Sequence, residues 1–463
     1  MQLVGRQTAV RVAIAALVLL AAFLLLYSAQ TAPATAAAAT ASEAQHLGVA
    51  SCAGTTCHGR QEATGRIVRQ DELLRWQDES NASGAHSRAW RVLAEPKGRA
   101  IGRRLGIDST STPMCLGCHA DPAPVAARGP RFQLNDGVGC EACHGAASGW
   151  ISSHYAVGAS HAANVAAGLV ALEQPRVRAA KCLDCHWGSD RPGQFVNHRI
   201  MAAGHPRLTF ELDLFTSLQQ HHDEDADYIR RKGRSDTVKL WAIGQTMALD
   251  RMLSLQAQPR LAREGVFPEF VFLDCHSCHR RISDEPGYRP SAEANPARPI
   301  PSGMPPFNDE NMILLSAAAR IAAPAMAERF DADSRAFHAA FAKDKASLDG
   351  ARARLRTSTA ALSRAFEQAG FGKAQTFAIL DAVGSTALAP RLTDYAGSAQ
   401  AVMATDTLLS ALVREGHVPS AAAAAIRPDI DRAYAAVRDP NSYRPAEFRT
   451  ALGRALTSIR SLR

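Results

Sequence analysis

Ten cysteines fall into five pairs, each followed at once by a histidine, and this pattern limits what the chain can become. The groups are Cys52 and Cys57 before His58, Cys115 and Cys118 before His119, and Cys140 and Cys143 before His144. Cys182 and Cys185 precede His186, and Cys275 and Cys278 precede His279. No cysteine is left over. Cys-x-x-Cys-His is the attachment pattern of c-type haem. Two thiols at this spacing bond to the vinyl groups on one haem edge, and the next residue then offers its imidazole to the iron. The first pair has a longer spacer, Ala-Gly-Thr-Thr, which requires the backbone to loop out between the thiols.

Other uses of paired cysteine explain less. A disulfide framework suits an exported chain but gives no role to five histidines. Zinc sites would take the pairs in twos, and five is odd. A thioredoxin-like pair occurs once, within a βαβ pattern. Five covalently attached haem c groups are therefore expected. They also account for the scarcity of aromatic residues, 6% of the chain, because porphyrin faces would supply apolar surface. The formal charge of +8 becomes +6 without Arg6 and Arg11 of the leader. Each ferric haem with two propionates carries one net negative charge, so the basic residues answer the haems. No nucleic-acid motif is present, and no nucleic-acid partner is expected.

The N-terminus sets the compartment. Arg6 and Arg11 precede an uninterrupted apolar run at 12–27, followed by small residues through Ala32-Pro33-Ala34. Residues 1–34 read as an export signal, or as an N-terminal anchor, although the run is short for a span of about 20 residues. Either way the remainder is expected in the periplasm or elsewhere outside the cytoplasm. Residues 35–45 form a low-complexity Ala/Thr/Ser tether. Residues 46–284 are expected as the pentahaem cytochrome domain, 285–306 as a Pro-rich linker, and 307–463 as a helical C-terminal domain.

The fold class is mainly α: short helices and loops wrapped round packed haems, then a helical bundle. A helical pattern runs from Leu208 to Arg263, with an apolar stripe through Leu240, Ile243 and Met247 and Ser235 or Asp236 as N-cap. In the C-terminal part, helices are expected within 308–323, 348–368, 395–415, 419–438 and 445–462. Met312 is read as core there. The bundle is read as a cover for the last haem, or alternatively as a docking module for a redox partner.

HLGVASCAGTTCHG, ELLRW, AHSRAWRVL, CLGCH and GVGCEACHG, in that order over roughly 46–210, resemble the multihaem cytochrome c-554 family. That resemblance implies an electron carrier of periplasmic nitrogen metabolism, related in haem packing to hydroxylamine oxidoreductase and the multihaem nitrite reductases. It implies His86 as distal ligand of the third haem, opposite His144, and His154 as distal ligand of the first, opposite His58. It also implies that the second haem, with His119, lacks a distal ligand. The type member has four haems, whereas this chain has five motifs and a long C-terminal extension.

Beyond the five motif histidines, eleven remain. His198 and His205 in QFVNHRIMAAGHPRL are expected as distal ligands for two of haems two, four and five, with Gly204 and Pro206 fixing the second in a turn. His161 is a substitute for His154. His46 and His338 are candidates for a fifth ligand. His221 and His222 precede the acidic run DEDAD and read as solvated, His276 points away from its own iron, and His417 belongs to a helix cap. Histidine on both faces of an iron permits electron transfer, whereas an open face admits small molecules. The chain is read as a carrier between a redox donor and acceptor. The alternatives are a small-nitrogen-species oxidoreductase at an open-faced haem, for which no catalytic side chain is identified, and a unit of a polymeric haem wire.

Overall fold

The computed structural model describes residues 44–62, 70–222, 224–279, 299, 304–341, 343–389 and 395–463. The leader, nearly all of the tether and most of the Pro-rich linker lie outside the described residues. Gln45–Arg463 forms one compact unit. It is mainly helical. Its sheet among the described residues is a single antiparallel hairpin, β1 (Arg263–Glu264) with β2 (Phe267–Pro268), paired Arg263 to Pro268 and Glu264 to Phe267.

The first part is built from short helices: α1 (Glu72–Gln77), α2 (Arg91–Ala94), α3 (Pro96–Leu105), α4 (Pro113–His119) and α5 (Cys140–His144). Then come α6 (Ile151–His154), α7 (His161–Ala166), α8 (Pro175–His186) and α9 (His198–Ala202). Proline at the first position starts α3, α4 and α8, where its missing N–H costs nothing. Helices this short are marginal alone and must be held by what they pack against.

A longer-helix region follows: α10 (Leu212–Leu218), α11 (Ala226–Lys232) and α12 (Thr237–Ala257). The expected helix at Leu208 begins at Leu212 instead. Glu211 caps it, its side chain accepting from the N–H groups of Asp213 and Leu214. Asp236 is the cap of α12, accepting from Lys239 N. Helix α12 is buried on nearly every side, with Trp241, Ile243, Leu249 and Met252 excluded from solvent, as an apolar helix in the middle of a protein must be.

The C-terminal helices are α13 (Glu310–Ala322), α14 (Pro324–Ala340), α15 (Lys345–Gln368), α16 (Lys373–Leu388), α17 (Tyr395–Arg414), α18 (Ser420–Ala436) and α19 (Pro445–Arg460). Helix α16 was not among the helices expected from the sequence. Helix α12 packs on α8 toward the motif region and on α13, α15 and α17 toward the C-terminus. One hydrophobic core therefore runs from Leu183 of α8 through Trp241 to Phe330, Phe366 and Leu456. Met312 belongs to it. Where α12 crosses α10, Gly244 leaves room for Leu212: a Cβ there would stand 2.5 Å from the leucine Cβ.

Candidate haem-binding site

Local structure places each motif. Helices α4, α5 and α8 all end on the motif histidine, with the two cysteines one turn apart. Residues three apart share a helix face, so both thiols point the same way. The longer first motif closes as a turn, with Cys57 N donating to Gly54 O (2.8 Å) and His58 N to Cys52 O (3.2 Å). The fifth motif begins in a 3-10 turn, Cys275–Ser277, capped by Asp274, whose side chain accepts from Ser277 N.

Glu141, in the spacer of the third motif, is a residue that sequence reasoning passed over. Its buried carboxylate accepts from Leu47 N, Gly48 N and Ala147 N, each at 2.7 Å. It thereby fastens the segment leading into the first motif onto the third. The Cys52 and Cys140 side chains lie close enough to interact, and so do those of Cys118 and Cys185. Gln194 Nε2 donates to Gly117 O (2.9 Å) in the second motif and contacts Cys185 Sγ (3.8 Å) in the fourth. The motif thiols therefore juxtapose first with third and second with fourth.

Each motif histidine faces one other histidine ring at nearly the same separation. His58 and His154 have ring centroids 6.1 Å apart and planes 18° from parallel. His86 and His186 are 6.3 Å apart at 69°, and His119 and His205 6.2 Å apart at 86°. His144 and His221 are 6.3 Å apart at 89°, and His198 and His279 6.2 Å apart at 45°. Rings at this distance do not touch. The gap accommodates one metal ion between facing nitrogens at metal–imidazole distances of about 2 Å. Several rings are oriented by a hydrogen bond at Nδ1, which leaves Nε2 to face the gap. The acceptors are Glu72 Oε2 for His58 (3.1 Å), Ala89 O for His119 (2.8 Å) and Pro206 O for His205 (2.7 Å). Gln219 O serves His221 (3.2 Å), and Asn441 Oδ1 serves His279 (2.8 Å). Such partners fix the tautomer and orientation of a ligating imidazole.

The pairing differs from expectation at two points. His86 is opposite His186 and not His144; its backbone carbonyl accepts from Val138 N (3.0 Å). His221, read as solvated from the acidic residues after it, is half-buried and faces His144. His119, for which the resemblance implied an open face and His205 was one candidate partner, has His205 opposite. The remaining histidines are engaged elsewhere. His46 Nδ1 bonds Asp121 (2.8 Å), His161 bonds Glu173 (2.8 Å), and His338 is buried against Asp309 (3.1 Å). His222 stacks on Tyr228, His276 meets the Tyr443 ring edge-on, and His417 is near Glu415. Among the described residues, no three or more His, Cys, Asp or Glu side chains gather as a site for a bare metal ion.

Burial sets the charge state of these rings. It lowers the pKa of His144 to about 3 and of His186 to about 4, keeping both in the neutral form that binds metal. His186 packs beside Phe210 (6.0 Å) and Phe215 (4.9 Å). At the fifth motif, His198 N donates to the buried Glu269 (2.8 Å), and Phe270 meets the His198 ring edge-on at 5.3 Å.

Residues 51–145 match the model of the family described as cytochrome c554 and c-prime. That span holds the first three motifs. No curated protein and no solved structure matches the chain. Among the described residues no helix is long and apolar enough to cross a membrane. Motifs on helix ends, facing imidazoles and the family match agree: the chain is a c-type cytochrome, an electron-transfer protein with covalently bound haem, and it resembles the cytochrome c554 family.

Proposed function

We propose that this is an exported pentahaem carrier whose five irons are each held between two histidines, so that electrons pass through the chain from a redox donor to an acceptor. The ligand pairs are His58 with His154, His119 with His205, His144 with His221, His186 with His86, and His279 with His198. Cys52, Cys57, Cys115, Cys118, Cys140, Cys143, Cys182, Cys185, Cys275 and Cys278 attach the macrocycles. The single observation that carries this reading is the repeated 6.1–6.3 Å ring separation at all five motif histidines. Haem supplies the one-electron chemistry when bound. The protein's part would be to hold haem between the paired histidines, to orient the imidazoles through their Nδ1 partners, and to bring sites close together at Cys52 with Cys140 and Cys118 with Cys185.

Six-coordinate iron has no position free for a small nitrogen compound, which favours a carrier over a catalyst. Intact-mass measurement of the mature protein should show five haem additions. Low-temperature EPR of the oxidised protein should show low-spin ferric signals alone. A strong high-spin signal that disappears on adding nitric oxide would replace this reading with catalysis at an open-faced haem.

A further inference from the structure

The five Nδ1 acceptors at the paired rings are not equivalent. Ala89, Pro206 and Gln219 offer backbone carbonyls and Asn441 a side-chain amide, all neutral. His58 alone has a carboxylate, Glu72 Oε2 at 3.1 Å. Among the described residues, no other ring of the five pairs forms an ion pair with an acidic side chain. The contact is built into the fold. Glu72 is the first residue of α1, and the next residue, Leu73, donates its backbone N–H to His58 O (3.0 Å). The helix start is thus tied to the motif it serves. The Glu72 side chain is 18% exposed, so solvent screens the contact only partly.

A carboxylate accepting from Nδ1–H draws the proton toward itself and makes the imidazole a stronger donor to iron. Added negative charge on an axial ligand stabilises ferric over ferrous iron, and hydrogen bonding around the ligands is one of the levers on haem potential. We propose that Glu72 is a positioning residue for His58 that makes the His58–His154 haem the lowest-potential centre of the chain. This rests on the ligand pairs proposed above. It gives the relay a direction. The low-potential end lies at the first motif, where Cys57 is exposed and His58 partly so. The neighbouring site, reached where Cys52 meets Cys140, lies uphill in potential.

The ring planes allow this haem to be followed individually. Near-parallel imidazoles split the iron d orbitals that lie along them, giving a rhombic low-spin EPR signal. The near-perpendicular pairs at His119 and His144 leave those orbitals close in energy and give a strongly anisotropic signal. The test is an EPR-monitored redox titration of the full-length holoprotein and of Glu72→Gln and Glu72→Asp, with haem content checked by mass. In the unmodified protein the rhombic signal should be the last to disappear on reduction. Glu72→Gln should raise its midpoint so that it is no longer last, leaving the others in place, and Glu72→Asp should recover part of the shift. An unmoved rhombic midpoint in Glu72→Gln with five low-spin haems intact would overturn the role of Glu72 while leaving the ligand pairs standing. Loss of low-spin ligation in the unmodified protein would instead remove the ligand pairs themselves. If Glu72→Gln does not assemble, Glu72→Asp carries the same comparison, because the shorter side chain lengthens the contact.

Discussion

At the scale of single residues, adjacent histidines can have different fates. His221 faces His144, whereas His222 stacks on Tyr228. Replacing His221 by alanine should convert one low-spin centre to high spin, and the same change at His222 should leave the EPR spectrum as it was. His205→Ala should likewise open the second site, with a new high-spin ferric signal of one centre in five and, after reduction, binding of carbon monoxide at that centre. Glu141 offers a stability test. Its carboxylate serves three backbone N–H groups, and Glu141→Ala would strand them in the interior. A loss of roughly 3 kcal/mol or more is expected in chemical denaturation, with the first and third haems loosened together. The motif histidines were legible because cysteine and histidine are neighbours in the chain. The distal ones were not all legible, because nothing local marks a partner that arrives from a distant segment. The acidic run beside His221 pointed toward solvent, and only packing turned its ring inward.

At the scale of elements, α12 joins the motif region to the C-terminal helices, and Gly244 lets it pack closely on α10. A methyl group at Gly244 would collide with Leu212, which is itself fully buried. Gly244→Ala should therefore destabilise by about 1–3 kcal/mol through overpacking, despite the better helix propensity of alanine. A lowered thermal midpoint in the holoprotein would show it. Helix α12 was predictable from its apolar stripe, and residue type narrowed its cap to Ser235 or Asp236, of which packing uses Asp236. The start of α10 was not, because the choice between Leu208 and Leu212 depends on Glu211 turning its carboxylate onto the N–H groups of Asp213 and Leu214.

At the scale of the whole molecule, buried polar groups tie the two parts of the chain together. Gln245 of α12 donates to Gln400 of α17 (3.1 Å) and accepts from Asn311 of α13 (2.7 Å), and Gln400 donates to Phe210 O (2.9 Å). Beside them Glu211 bonds Thr407 (2.6 Å), and Asp213 is buried near it with Arg414 at 3.8 Å. Burial, with the neighbouring Glu211 carboxylate, pushes the Asp213 pKa up to about 7 from 3.8. The folded state then holds the proton more tightly than the unfolded chain. Stability should fall as pH rises from about 4 to about 7 and stay reduced above that. Asp213→Asn should flatten this decline and raise stability at pH 8, by on the order of 1–3 kcal/mol. Thermal melts of both proteins across pH 5 to 8 would check it. At the fifth motif, Asn441 from the loop before α19 orients His279, so the C-terminal part of the chain supplies a partner to that site.

Thiol spacing alone determined where haem attachment is proposed and which imidazole is proposed to lie beneath each iron, since covalent geometry acts over a few residues. Apolar periodicity determined a mainly helical chain. Tertiary structure decided which second histidine crosses each gap, which sites touch, and which ring has a carboxylate behind it. Those choices depend on distances between segments far apart in sequence, and only the packed core around α8, α12 and the C-terminal helices fixes those distances.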